Sequence, residues 1–327
     1  MVRIAGVLTL VAALYVALYF ADAKRNSFKT TNLIDVTNRQ GQFGVITLGV
    51  AVLIVTGAID LSIGSVVGLS AVGFVLLTIN GVPPIAATLL VLLGGMSIGL
   101  LHGVLVTRFK LQSFLVTLCG LFVYRGLARY FTKQQVGLVG LKTEHPETTD
   151  SVNFLRSILI GKDGDGVLHY PAQMFVLLFL ALIVGLVLHR SVIGRYWYAI
   201  GYNESAARYS GIATDRYRLF GFVISSMLAS LGGIMLLLDT GTADPNTAGE
   251  SWELYAITGA VLGGCSLKGG EGTAIGIVLG AMVLPLLKSV VSFLEIPDSI
   301  IPAVIGLTLL FGTLADEFFR RRSAVRK

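Results

Sequence analysis

Few residues of this 327-residue chain pair a reactive side chain with a setting that could use it. The first is Asp60, in Gly57-Ala58-Ile59-Asp60-Leu61-Ser62-Ile63-Gly64-Ser65, a glycine-punctuated break between long apolar runs. A carboxylate at bilayer depth costs a few kcal/mol or more unless paired or wet. Asp60 therefore has two readings: a cap on the helix opening at Leu61-Ser62-Ile63, or a group that meets a polar solute or proton. No other apolar run carries the carboxylates of a proton relay, which favours the cap. His102, between Gly99 and Gly103, reads first as a buried, hydrogen-bonded imidazole and second as a polar group facing a path. Arg125 and Arg129 stand one turn apart near the end of an apolar run, as guanidinium groups snorkelling to an interface do. Gly161-Lys162-Asp163-Gly164-Asp165-Gly166 alternates acids like a calcium loop but lacks the later glutamate, so a surface turn is expected. Cys119 and Cys265 have no metal-ligand spacing and read as small packing residues. No Ser/His, paired-Asp or His/Glu arrangement stands within the apolar runs, which argues against an intramembrane enzyme and against a metal site.

The chain that must hold these residues is 54% hydrophobic and 13% charged, with a mean hydropathy of +0.79. Soluble domains carry roughly 25% charged residues, so this composition reads as an integral membrane protein with little mass outside lipid. Apolar runs near 4–21, 43–57, 62–80, 85–106, 113–131, 171–189, 217–238, 252–265, 271–293 and 298–316 predict an all-α polytopic helix bundle of about ten spans in one domain, 1–327. The runs at 43–57 and 252–265 are short for about 30 Å of hydrocarbon and end at the breaks, so they either join their neighbours or are half-helices. Residues 1–20 also resemble a secretory signal, with Arg3 before an apolar core and Ala21 and Ala23 after it; a retained helix is the favoured reading.

Basic residues set the expected orientation. The cluster Arg320-Arg321-Arg322 with Arg326-Lys327 points to a cytoplasmic carboxyl end, and ten spans then put the amino end there too. The 190–216 loop falls inside, while 132–170, 239–251 and 294–298 fall outside. The 22–42 segment disagrees: it would be external yet holds Lys24, Arg25, Lys29 and Arg39. The +6 net charge is thus a topology signal and does not call for nucleic acid.

A second break, Gly263-Gly264-Cys265-Ser266-Leu267-Lys268-Gly269-Gly270, mirrors the first. Pairing Gly57 with Gly263, Leu61 with Leu267 and Gly64 with Gly270 suggests an internal pseudo-repeat, parallel or inverted. Broken helices at membrane depth survive only where protein or a water-filled cavity satisfies their backbone, which points to transport. In the 190–216 loop, Asn203 is a good N-cap, Glu204 and Arg208 stand at i and i+4, and Gly211 can end the helix. Two turns of helix are marginal in water, so this one docks on something, either its own bundle or a partner.

These stretches resemble the permease of a bacterial ATP-binding-cassette importer of the ribose/xylose/galactose type. Thr56-Gly57-Ala58-Ile59-Asp60-Leu61-Ser62 with Ile63-Gly64-Ser65 carries the likeness. So do Ser113-Phe114-Leu115-Val116-Thr117-Leu118 with Tyr124-Arg125-Gly126, then Tyr198-Ala199-Ile200-Gly201 through Gly211-Ile212, then Glu253-Leu254-Tyr255-Ala256-Ile257 through Gly272-Thr273. Ala58, His102 and Cys265 depart from the common glycine, asparagine and threonine, which bears on which sugar is carried.

The resemblance implies a type II importer fold in the bacterial cytoplasmic (inner) membrane. It also implies a second permease chain, identical or different, two ATPase subunits that bind ATP-Mg, and a periplasmic or lipoprotein sugar-binding protein. The chain has no GxxxxGK[ST] loop, so it carries no cofactor of its own and ATP chemistry belongs to the partners. By the same likeness Asn203, Glu204, Ala206, Ala207, Arg208, Tyr209, Ser210 and Gly211 form the helix that couples to the ATPase. The path is expected along Gly57, Ile59, Asp60, Ser62, Gly64, Ser65, His102, Gly263, Gly264, Ser266, Gly269 and Gly270, with small-residue faces at Gly94, Gly95, Gly99, Gly276 and Gly280. Few aromatic-plus-carboxamide clusters that would grip a sugar stand within the spans, which fits a transient site. A branched-chain amino-acid permease of the same superfamily is the nearer alternative, argued against by Ile59-Asp60-Leu61-Ser62; a self-contained secondary carrier is the further one.

Overall fold

The computed structural model describes residues 2–21, 29–138 and 146–294, together with 297, 300, 302–304, 306, 307 and 310. The carboxyl-terminal basic cluster, Lys24, Arg25, Glu144, His145, Glu295 and Asp298 lie outside the described residues, as does most of the run at 298–316. The helices are α1 (Val2–Ala21), α2 (Thr30–Val55), α3 (Ile63–Ile79), α4 (Pro84–Thr107), α5 (Ser113–Phe131), α6 (Pro146–Ile160), α7 (Ala172–Arg190), α8 (Val192–Tyr202), α9 (Glu204–Tyr209), α10 (Thr214–Thr240), α11 (Trp252–Leu262) and α12 (Ala274–Phe293). Among the described residues the sheet is one antiparallel ribbon, β1 (Val136–Gly137) with β2 (Thr242–Ala243), pairing Val136 with Ala243. The fold is therefore all-α. Among the described residues five helices, α4, α5, α7, α10 and α12, are long and apolar enough to cross a membrane.

The bundle has two ends. One holds α9 and both breaks; the other holds the ribbon, where Asn38 Nδ2 donates to Ile160 O (3.0 Å) and Gln173 N–H donates to Asn38 Oδ1 (2.9 Å). From Asn38 to Val55 α2 rises about 25 Å, close to a hydrocarbon thickness. α10 runs through the middle, against α2, α3 and α4. Lipid gives two apolar helices no hydrophobic reason to associate, so close approach over small residues must supply the attraction. On α4, Gly95, Gly99 and Gly103 recur every fourth residue, and a methyl group on each would strike Ser230, Phe222 and Leu219 of α10 in turn. Gly41 and Gly44 of α2 meet Gln173 and Leu177 of α7 in the same way, and Gly259 of α11 and Gly263 beyond its end meet Gly280 and Gly276 of α12.

Gly95 and Gly99 are packed against α10 and Gly276 and Gly280 against Gly263 and Gly259, whereas no described atom lies within 4 Å of a methyl group placed on Gly94. Three expectations change. The 22–42 segment is not a loop from residue 30 onward. α2 begins at Thr30, and its polar first turns stay helical because Asn38 is bonded to two other elements while Gln40 Nε2 donates to Tyr15 Oη (3.2 Å). Arg125 does not snorkel: its Nη1 turns inward and donates to Ala248 O (2.6 Å). That contact holds part of 239–251 inside the bundle, with Ala248 and Gly249 buried against Gly64, Val67 and Gly68 of α3. Finally, Cys265 is buried, but Cys119 stands on the exposed apolar face of α5 beside Phe114, Leu115 and Phe122.

The 161–166 segment is a tight turn closed by its own acid. Asp163 Oδ1 accepts the N–H of Asp165 (3.0 Å) and Val167 (2.8 Å), and Oδ2 pairs with His169 Nε2 (2.8 Å). The His169 bond first, and the Val167 N–H after it, hold the Asp163 carboxyl below its ordinary range. Asp244, capped by Asn246 N–H, is shifted the same way.

Candidate functional site

Each break opens with the same piece of local structure. α2 ends at Val55, and Gly57 takes a left-handed φ of +79° while its N–H donates to Ile54 O (2.8 Å) and that of Ala58 to Leu53 O (3.4 Å). α11 ends at Leu262, and Gly264 has φ +91°, its N–H donating to Val261 O (2.9 Å) and that of Cys265 to Ala260 O (3.0 Å). Both are Schellman closures, which satisfy the last carbonyls of a helix and require a residue that tolerates positive φ. The structural match is thus Gly57 with Gly264, one residue later than the identities at Gly263, Leu267 and Gly270 suggest. Gly263 is right-handed (φ −69°) and Gly64 is helical within α3, so those identities pair glycines of unlike conformation.

The breaks meet each other. Gly270 N–H donates to Val55 O (2.9 Å), and a methyl group on Gly269 would lie 2.8 Å from both Gly57 Cα and Gly201 Cα. Gly201, the penultimate residue of α8, sits between them, its α-carbon facing Val55 O and Gly270 N. Tyr198 Oη of α8 donates to Gly272 O (2.7 Å). Three backbone segments therefore touch at one point.

Past Gly57 the chain runs inward to Asp60, which is fully buried. Ile59 N–H reaches Ser113 Oγ (3.5 Å) and Thr117 Oγ1 reaches Ile59 O (3.4 Å), so the start of α5 pins this stretch. Asp60 does not cap α3 in the usual sense. Its Oδ1 accepts both the N–H (2.8 Å) and the Oγ–H (2.6 Å) of Ser62, a local turn ahead of the helix, while Ser65 Oγ returns to Ser62 O (2.6 Å). Oδ2 points at His102 Nδ1 across 3.7 Å, beyond hydrogen-bond range, and neither atom has a hydrogen-bond partner among the described residues. His102 Nε2 is 2.9 Å from Tyr124 Oη, and Phe222 stands edge-on at 6.3 Å. Asp60, Ser62, Ser65 and His102 are thus sealed inside the chain, whereas Gly57, Ile59, Gly264, Ser266 and Gly270 keep exposed surface. Gly64 is closed off by Glu253 and Gly249, and Gly269 by Gly57 and Gly201. Among the described residues no three His, Cys, Asp or Glu side chains come together to hold a metal.

α9 is built as its residues suggest. Asn203 Oδ1 accepts Ala206 N–H (3.0 Å), and Arg208 Nη2 meets Glu204 Oε1 (3.0 Å). Gly211 (φ +83°) closes the end, with Gly211 N–H on Arg208 O (3.0 Å) and Ile212 N–H on Ala207 O (3.1 Å). Ala207 alone of the eight residues from Asn203 to Ser210 is buried, and Tyr209 is 93% exposed. Contacts outside the helix anchor it. Arg208 also bonds Asp215 Oδ1 (3.1 Å), Lys110 bonds the same carboxylate (2.8 Å), and Arg218 Nη2 joins Glu204 Oε2 (2.8 Å) to Thr56 O (3.5 Å). Exposed pairs of this kind are worth about 0–1 kcal/mol each, but the Arg218 link ties α9 directly to the first break.

Gly201, Arg218, Ser113 and Thr117 also belong to this site, and sequence reasoning does not single them out. Ser113, Thr117 and Gly201 stand within the family-like stretches, but their contacts span long sequence distances that no local pattern encodes.

Comparison with known proteins bears on the whole chain. The family model described as branched-chain amino acid transport system / permease component matches residues 32–313. The Ribose import permease protein RbsC of Bacillus subtilis (strain 168) is 33% identical over 90% of this chain and 86% of its own. The Autoinducer 2 import system permease protein LsrC of Yersinia pseudotuberculosis serotype O:3 (strain YPIII) is 34% identical, over 86% and 76% respectively. The Fructose import permease protein FruG of Bifidobacterium longum (strain NCC 2705) is 31% identical, over 81% and 76%. No solved structure matches. Paired helix breaks inside an apolar bundle, and a family match over nearly the whole length, show that this multi-pass membrane protein belongs to the branched-chain amino acid transport system / permease component family.

Proposed function

We propose that the chain is the permease subunit of an ATP-driven importer in the cytoplasmic membrane, carrying a monosaccharide delivered by an extracytoplasmic binding protein. Two permease chains form the pore, and two ATPase subunits hydrolyse ATP-Mg beneath it. The relatives named for ribose, fructose and autoinducer 2 import support a small polyhydroxylated solute over a branched-chain amino acid. One observation carries the reading: a short, fully capped helix with an outward face of Tyr209, Ser210, Ser205 and Ala206 is fastened to the first break through Arg218 and follows directly on α8, whose Gly201 touches both breaks. In this reading α9 seats in the ATPase, which places the α9 end and both termini on the cytoplasmic side. Rotation of α9 reaches Thr56 through Glu204 and Arg218, and reaches both breaks through Gly201. Gly57, Ile59, Gly264, Ser266 and Gly270 then border the path, while Asp60, Ser62, Gly64, Ser65, His102, Gly263 and Gly269 hold them in shape from behind.

The test is reconstitution in vesicles with and without the ATPase and binding protein. Uptake is expected only with both partners and ATP. Ala207→Trp, which overfills the one buried position of α9, and Gly211→Pro, whose φ near −65° is incompatible with +83°, are expected to abolish stimulation of ATP hydrolysis by loaded binding protein while the complex still assembles. Normal stimulation in both variants, or uptake by the chain alone, overturns the reading.

A further inference from the structure

Lys288 is an ionisable residue inside an apolar helix, five residues short of the end of α12 at Phe293. A lysine near a membrane surface ordinarily extends its stem to the headgroups. Here the geometry runs the other way. The Cα–Cβ bonds of α12 tilt toward its N-terminus at the α9 end, so the Lys288 stem leaves the backbone away from the nearer surface. Its Nζ lies over two rings, 4.6 Å from the centroid of Tyr255 and 5.5 Å from that of Phe43. Phe43 of α2 packs on Trp252 (4.6 Å between centroids) and Tyr255 (6.3 Å), both of α11, and all four side chains are partly exposed. One turn before Phe43 on the same face of α2 stands Gln40, fully buried, with its Oε1 lacking a hydrogen-bond partner among the described residues.

An aromatic platform with an ammonium group over it, beside a carboxamide oxygen that no described residue engages, suits a sugar: C–H faces stack on rings while hydroxyls take the polar groups. We propose that Gln40, Phe43, Trp252, Tyr255 and Lys288 form a low-affinity monosaccharide subsite in the half of the bundle nearer the ribbon. Lys288 occupies the platform when no solute is there and moves aside to donate to a hydroxyl when one arrives. The pieces come from α2, α11 and α12, so no single apolar run of the sequence contains the cluster. The inference rests on the importer reading for its ligand class.

Trp252 reports on the subsite directly, because the chain has only two tryptophans and the other, Trp197, is buried with its indole N–H on Tyr217 O (2.8 Å). Purified permease titrated with a panel of pentoses and hexoses that includes D-ribose and D-fructose is expected to show a saturable emission change in the millimolar range. Trp252→Phe should remove it. Lys288→Met should raise the half-saturating concentration about tenfold, the loss of one charge-assisted hydrogen bond, and Lys288→Arg should restore most of the affinity. No saturable change with any sugar overturns the subsite, as does an unshifted titration in both Lys288→Met and Tyr255→Ala. ATP-independent uptake would sink the importer reading while leaving this titration intact, so the two failures are separable.

Discussion

Gly201→Ala is the sharpest test of how the parts are joined. The added methyl group would meet Val55 O and Gly270 N, which are bonded to each other at 2.9 Å, and would lie 3.0 Å from Gly269 C. All three are backbone atoms at glycine-rich or helix-end positions, so no side chain can rotate away. Overpacking costs about 1–3 kcal/mol, and loss of the strand-like bond between the breaks adds about 1, for roughly 2–4 kcal/mol. At about 2 °C per kcal/mol for a chain of this size, the expected drop in melting temperature is about 4–8 °C. Thermal unfolding of the detergent-solubilised protein, followed by size-exclusion fluorescence, reads it. Gly94→Ala is the matched control: no described residue lies within 4 Å of its added carbon, and helix propensity alone makes it neutral or stabilising by up to about 1 kcal/mol. Equal melting temperatures for Gly201→Ala and Gly94→Ala would refute the three-segment contact. A drop without loss of ATPase coupling in the assembled importer would refute the contact's part in transmission.

Two further outcomes follow from named bonds. Asp60→Ala strips Ser62 of its acceptor for both N–H and Oγ–H and is expected to cost about 2–4 kcal/mol, whereas Asp60→Asn keeps Oδ1 and should cost less than half of that in the same melting assay; equal losses would show that Ser62 is not what Asp60 holds. The Asp163 carboxyl is depressed by folding, so its contribution to the 161–169 turn is complete above the ordinary carboxylate value near 4 and fades as pH falls through the lower, folded one. Hydrogen exchange at the Asp165 and Val167 amides should stay protected through pH 4 and open below it, and Asp163→Asn should erase that pH dependence; a wild-type profile that opens already above pH 5 would contradict the assignment.

Legibility from sequence followed the range of the interactions. Asn203, Glu204, Arg208 and Gly211 could be read as a capped two-turn helix because every bond in it joins residues at most five apart. The apolar runs likewise announced helices α3, α4, α5, α7, α10 and α12 within a few residues, since hydrocarbon thickness sets their length. α2 was cut short at its polar start because Asn38 and Gln40 look like loop residues until their partners on α6, α7 and α1 are known. The register of the two breaks slipped by one for a related reason: identity pairs residue types, but the Schellman closure depends on φ, which glycine leaves open.

Membrane residence, an all-helical bundle, two interrupted helices and a short exposed helix were thus determined by composition and by contacts close along the chain. Which residues share a site was not. The junction of Gly57, Gly201 and Gly269, the Arg218 link from α9 to Thr56, the opposition of Asp60 and His102, and the rings beneath Lys288 all join segments separated by tens to hundreds of residues. Packing in three dimensions selects those partners from many chemically equivalent candidates, and small residues such as Gly201 carry no chemical mark that distinguishes a crowded junction from open space such as that at Gly94.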